Sequence, residues 1–260
     1  MPKAKQIRNI YLLPDNVTPE HYEIALMPDL QAFTFTGEES VIVNIKSKTS
    51  KITLHALELE IKNADICYVG LVGHAPAKKI TFNKKMQTAI LDFGEFLEPG
   101  KATLHLDFSG TLNDKMCGFY RTSYFVNGEK RWGAATQFEA TDARRAFPCW
   151  DEPAQKATFE IGLVIPETMT ALSNMPLKHT RKKMNSKIVG FQKTPPMSTY
   201  LVAFVIADLE YIEAYDLNSI RIRVYTTPGK KEHGQFGLNV ALHTLPFLAQ
   251  YYNMKYPLPK

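Results

Sequence analysis

At 260 residues, 45% of them hydrophobic and 22% charged, the chain is long enough to bury a sizeable core and has the make-up of an ordinary globular protein. Its net charge of +5 is no nucleic-acid signature and leaves only a weak bias toward acidic partners. Three widely spaced cysteines, Cys67, Cys117 and Cys149, argue against a disulfide framework and read as reduced core thiols of a cytoplasmic protein.

Residues 1–12 read as a loose lead-in. They are basic and lack the apolar stretch of a secretory signal. From Tyr22 the pattern alternates: Tyr22, Ile24 and Leu26 share one face of a predicted strand, as do Val41, Val43 and Ile45 of the next, with a turn expected at Gly37. Further strands are expected over 51–55, 58–64, 79–83, 88–91 and 101–110, punctuated by Gly70, Gly73, Pro76, Asn83, Pro99 and Gly100. Such a series argues for a mainly β fold, an antiparallel sandwich or a saddle-like sheet. His55 and His105, each preceded by leucine, read as exposed or satisfied sheet histidines. Asn113 and Asp114 mark a turn, and the aromatics Phe119, Tyr120, Tyr124, Phe125 and Trp132 read as core rather than pocket.

The densest stretch runs from Trp132 to Phe159. Gln137 and Glu139 flank Phe138, so in an extended chain both polar side chains leave on one face and Phe138 on the other. An amide oxygen beside a carboxylate suits a group that only donates and carries positive charge, such as the ammonium of a peptide's N-terminus. A free α-amine titrates near ~7.7–8.0, so a fixed carboxylate favours its charged form at neutral pH. After the pair, Asp142, Arg144, Arg145, Asp151 and Glu152 are interleaved with Phe147, Pro148, Cys149, Trp150 and Pro153. These charges read as a structural ion-pair cluster under a loop pinned by prolines and aromatics. Glu139 has two readings at this point: it grips an amine, or it pairs with Arg144 or Arg145 and binds nothing.

Residues 157–166 alternate with Phe159, Ile161, Leu163 and Ile165 inward. The basic run 178–187 has strands on both sides and reads as a solvated hairpin tip rather than a nucleic-acid contact. Residues 200–207 are the longest apolar run, too short to cross a bilayer, and are expected as a strand buried on both faces. Another strand is expected over 220–225. Then apolar residues at 238, 241, 242, 245, 248 and 249 take helical spacing, with a kink or break expected at Pro246.

The segment A-T-Q-F-E-A-T-D-A-R-R-A-F-P-C-W-D-E-P, from Ala135, resembles the zinc-dependent gluzincin aminopeptidases, nearest the aminopeptidase N and puromycin-sensitive branches. In the same order come L-P-D-N-V-T-P-E-H-Y from Leu13, F-T-F-T-G-E-E from Phe33, G-T-L-N-D-K-M-C-G-F-Y-R-T from Gly110, A-L-S-N-M-P from Ala171 and T-P-P-M-S-T-Y-L-V-A-F from Thr194. The resemblance implies an all-β N-terminal domain over 1–218 and the incomplete start of a thermolysin-like α/β catalytic domain over 219–260. It implies that Glu139 holds the substrate's free amine and that Gln137 lines the first substrate pocket, with a peptide and the parent's catalytic domain as partners. The family's chemistry rests on zinc held by His-Glu-x-x-His, which puts two imidazoles on one helix face. Here the histidines are at 21, 55, 74, 105, 179, 233 and 243, and no two lie four apart. No catalytic residue, zinc site or stoichiometric zinc is therefore expected in this chain, which alone should hydrolyse nothing while its parent is a zinc aminopeptidase. The alternative is a non-catalytic β-sheet module that binds peptides or proteins.

Overall fold

A computed structural model of the chain describes residues 12–68, 70 and 73–259. The predicted lead-in lies outside the described residues except for Leu12. Among the described residues the chain runs through β1 (Val17–Asp29), β2 (Thr34–Ile45), β3 (Thr49–His55), β4 (Leu59–Tyr68), β5 (Ala75–Pro76), β6 (Lys79–Asn83), β7 (Thr88–Leu97), β8 (Gly100–Thr111), β9 (Gly118–Val126) and β10 (Glu129–Gln137). An irregular segment follows. Then come β11 (Thr158–Pro166), β12 (Thr170–Ser173), β13 (Leu177–Lys183), β14 (Ser186–Phe191), β15 (Phe204–Ala207), β16 (Glu210–Tyr215), β17 (Arg221–Thr226) and one helix, α1 (Gln235–Tyr251).

The mainly β expectation holds. An eight-stranded sheet has the order β13-β14-β11-β1-β2-β8-β4-β5, and β12-β15-β10-β9, β3-β7-β6 and the hairpin β16-β17 form three smaller ones. Pairing is antiparallel except between β1 and β11, whose separation in sequence leaves room for the crossover a parallel pair needs. Alternation decides which face is buried. Tyr22, Ile24 and Leu26 of β1, Val41, Val43 and Ile45 of β2, and Phe159, Ile161, Leu163 and Ile165 of β11 all belong to one buried cluster. Ile52, Leu54, Leu91 and Phe93 from β3 and β7 join it, as do Phe119 and Phe204 from the four-stranded sheet.

Five expectations need correction. Gly37 is no turn. It sits inside β2, and a Cβ there would meet the Phe108 ring at 2.4 Å, so the glycine makes room for an aromatic on β8. Residues 200–207 are not one strand: a 3-10 turn, Thr199–Leu201, precedes β15, and Leu201 is exposed. Of the cysteines only Cys149 is in the core, Cys67 and Cys117 being half-buried, and Phe125 is exposed. Pro246 does not break α1, which runs on to Tyr251. The basic run is the β13–β14 hairpin, with Met184 exposed at its tip.

Among the described residues, Glu39 is the buried acid with both oxygens unpartnered. It belongs to β2 and lies opposite Ile24 of β1 and Leu106 of β8. Burial pushes its carboxyl well above the ordinary 4.5. An acid whose folded value is raised loses stability as pH rises past the unfolded value, because only the unfolded chain readily gives up the proton. Glu39→Leu is expected to gain about 1–3 kcal/mol at pH 7 and less at pH 4, by urea unfolding. A variant less stable than the parent at pH 7 would show that Glu39 has a partner in solution.

Candidate functional site

β10 delivers the two sequence-marked residues. Its last residue, Gln137, pairs with Gly118 of β9. Gly118 has φ +67°, and a Cβ on it would lie 2.7 Å from Cβ of Arg145, so the arginine stem packs where another residue's side chain would be. The next residue, Phe138, is 2% exposed and meets Phe147 and Phe204 edge-on, with ring centroids 5.9 and 6.0 Å away. Its carbonyl accepts a hydrogen bond from the amide of Asp142 at 2.8 Å, closing the turn that carries Glu139. The Glu139–Ala140 peptide is cis. With Phe138 turned inward, Gln137 and Glu139 are both exposed, as the alternation requires.

The arginines are engaged elsewhere. Arg144 is buried, and its Nε donates to Asp151 Oδ2 at 2.9 Å; its other nitrogens donate to the Asp151 carbonyl and to Gln87. Arg145 donates to Asp142 at 2.7 Å and pairs with Glu58 at 2.6 Å. Neither reaches Glu139, whose side chain has no hydrogen bond or ion pair among the described residues.

Beneath the turn a polar network fixes the segment. Asp151 accepts from Thr199 Oγ1 at 2.6 Å, and its amide donates to Nδ1 of His55 at 3.2 Å. Burial and the Arg144 guanidinium hold His55 neutral, its pKa lowered to about 3. The predicted ion-pair cluster is therefore real, and His55 is satisfied within it. Glu152, the fifth charge, accepts from the amide of Leu13 at 2.6 Å. The Tyr22 hydroxyl accepts from the amide of Trp150 at 3.2 Å, and the Tyr22 ring stacks on Phe159 at 4.9 Å. A cavity of about 660 Å3 lined by Leu172, Val189, Phe191, Arg223 and Tyr225 lies elsewhere and includes neither Gln137 nor Glu139.

Residues 18–201 match the family model of the peptidase M1 N-terminal domain. This chain belongs to that family. It is 44% identical over 250 residues to Aminopeptidase M1 of Arabidopsis thaliana, covering 95% of this chain and 28% of the relative. It is 45% identical over 255 residues to the alanine/arginine aminopeptidase of Saccharomyces cerevisiae, covering 96% and 29%. To the same yeast's mitochondrial Aminopeptidase 2 it is 40% identical over 258 residues, covering 97% and 26%. The chain thus spans less than a third of the length of these M1 relatives.

The M1 family is zinc-dependent in general, and the His-Glu-x-x-His motif does not occur in this sequence. Among the described residues, those that could hold a metal are instead Cys67, His74 and His105, on and beside β4 and β8. Sequence reasoning missed this group. His105 was placed correctly in a strand, but nothing in its spacing from Cys67 and His74 signals that sheet pairing joins them. No described helix is long and apolar enough to cross a membrane.

Proposed function

We propose that this chain is the substrate-cleft portion of a zinc metallo-aminopeptidase that removes N-terminal residues from peptides, and that Glu139 and Gln137 grip the substrate's free amine. One observation carries this reading: Glu139 stands exposed, with no partner among the described residues, beside Gln137 on a turn anchored by buried Phe138, while both nearby arginines are ion-paired to other acids. A carboxylate and an amide oxygen together offer acceptors to all three N–H donors of an ammonium. Holding the chain end fixes which peptide bond is presented, so positioning selects the first one. Bond hydrolysis in such an enzyme belongs to zinc chemistry, which this reading assigns to residues of the parent beyond this set.

The same reading divides the chain into a β domain over 1–218 and the start of the catalytic domain over 219–260, active only with its parent and working in the cytoplasm. What supports a second unit is that α1 packs on the β16–β17 hairpin, which forms its own sheet, although that hairpin starts at Glu210 and so crosses the 218/219 line. Its outer surface leaves Phe236, Phe247 and Tyr251 exposed, as a face awaiting further structure would.

The expected result of an NMR titration is that a free-amine dipeptide shifts the resonances of residues 137–140 and its N-acetylated twin does not. Equal shifts from both peptides would remove the amine from the interaction.

A further inference from the structure

β4 and β8 pair antiparallel with Asp65 opposite His105 and Cys67 opposite Thr103, so Cys67 and His105 are diagonal neighbours on one face. The other face is the buried one, carrying Ile66, Leu104 and Leu106. His74 arrives just before β5, whose Ala75 pairs with Ile66, and this places it beside the other two at the edge of the eight-stranded sheet. The sulfur of Cys67 and one nitrogen from each imidazole all lie within 4.8 Å of one another. Sγ of Cys67 is 3.6 Å from Nε2 of His105. A tetrahedral zinc with Zn–S of ~2.3 Å and Zn–N of ~2.0–2.1 Å places its sulfur and nitrogen ligands roughly 3.6 Å apart.

The surroundings are those of a ligand set. Nδ1 of His74 is 2.5 Å from Oδ1 of Asp65, and Nδ1 of His105 is 2.9 Å from Oγ of Ser40. Each imidazole is held through Nδ1, and with that nitrogen donating to Asp65 or Ser40 its Nε2 presents a lone pair. Carboxylate and hydroxyl partners of this kind fix the tautomer and raise the basicity of metal-bound histidines. Thiolate with imidazole selects zinc-class ions over magnesium or calcium.

We propose that Cys67, His74 and His105 bind one zinc-class divalent ion on the outer face of the sheet, with water in the fourth position and Asp65 and Ser40 orienting the imidazoles. Binding breaks the S–H bond of Cys67, releases its proton to solvent and forms a metal–thiolate bond, with no change of oxidation state. The ion clasps β8, β4 and the chain entering β5, which otherwise adds only a two-residue strand to the edge. The site replaces the sequence-based expectation that the chain carries no metal, and it stands independently of the amine-binding reading.

The test uses the 260-residue chain, stripped with a chelator and titrated with Co2+ as a spectroscopic probe for zinc. The expected result is one Co2+ per chain, with a thiolate-to-cobalt charge-transfer band and tetrahedral visible bands, both displaced by Zn2+. Cys67→Ser abolishes the charge-transfer band and Cys117→Ser leaves it. Asp65→Asn weakens binding about 10- to 100-fold. His74→Ala loses the tetrahedral bands, and because this side chain is 59% exposed, circular dichroism should show an intact fold. No charge-transfer band in the parent, or one that survives Cys67→Ser, overturns the site. Unchanged binding in a folded His74→Ala removes the third ligand and overturns it as proposed.

Discussion

Asp151→Ala is expected to destabilise the chain by about 3–5 kcal/mol, because it strands a buried arginine. The side chains of Asp151 and Arg144 are 1% and 9% exposed, and the carboxylate is the guanidinium's only anionic partner among the described residues. Truncation also frees Thr199 Oγ1 inside the protein. Surface pairs behave differently. Lys182 is 81% exposed, and losing its solvent-screened bridge to Glu167 should leave stability essentially unchanged. Urea unfolding of the two variants side by side checks the contrast, and a cost below about 1 kcal/mol for Asp151→Ala would mean the network does not hold the segment. Acid probes the same network through His55. Its folded value, about 3, lies below the ordinary 6.5, so the unfolded chain takes up a proton first as pH falls. Stability contributed by neutral His55 is therefore complete above 6.5 and lost progressively between 6.5 and 3, by at most a few kcal/mol at ~1.4 per pH unit.

The second large effect is on catalysis. In an aminopeptidase carrying this segment, Glu139→Gln should lower kcat/KM for free-amine substrates by about 1.5–3 kcal/mol, roughly 10- to 150-fold. Glutamine keeps the shape and one acceptor oxygen but removes the charge. Gln137→Ala removes a neutral acceptor and should cost less, about 0.5–1.5 kcal/mol. Both side chains are exposed and carry no partner among the described residues, so thermal midpoints should barely move. Unchanged turnover, or a fall in kcat/KM that tracks a fall in melting temperature, would take Glu139 out of substrate binding.

Most of the fold was legible because half-buried strands write their faces into alternating residues. Tyr22, Ile24 and Leu26 are 0%, 1% and 0% exposed, as period two requires. The failures share a cause, which is that local pattern cannot see a distant partner. Gly37 looks like a turn in sequence and is a clearance for Phe108 in space. Hydrophobicity at 200–207 signalled burial for Val202, Phe204, Ile206 and Ala207 but not for exposed Leu201, and Ser198 and Thr199, bonded to Pro153 and Asp151, bend the chain before β15 can begin. The β16 strand, alternating between exposed and half-buried residues, gave too weak a signal to be singled out. At the candidate site the pair Gln137 and Glu139 was legible as two acceptors. Whether Arg144 and Arg145 would neutralise Glu139 was not, because the competing acids Glu58, Asp142 and Asp151 come from several parts of the fold. The Cys67, His74 and His105 cluster was invisible for the same reason.

The claim that Glu139 meets the amine itself is tested most directly by a cycle of four kcat/KM values, crossing parent and Glu139→Gln enzymes with a free-amine substrate and its desamino analogue. The expected coupling is about 2 kcal/mol, the desamino substrate being indifferent to the substitution. A coupling near zero, with both substrates suffering alike, would place Glu139 in the scaffold rather than on the amine.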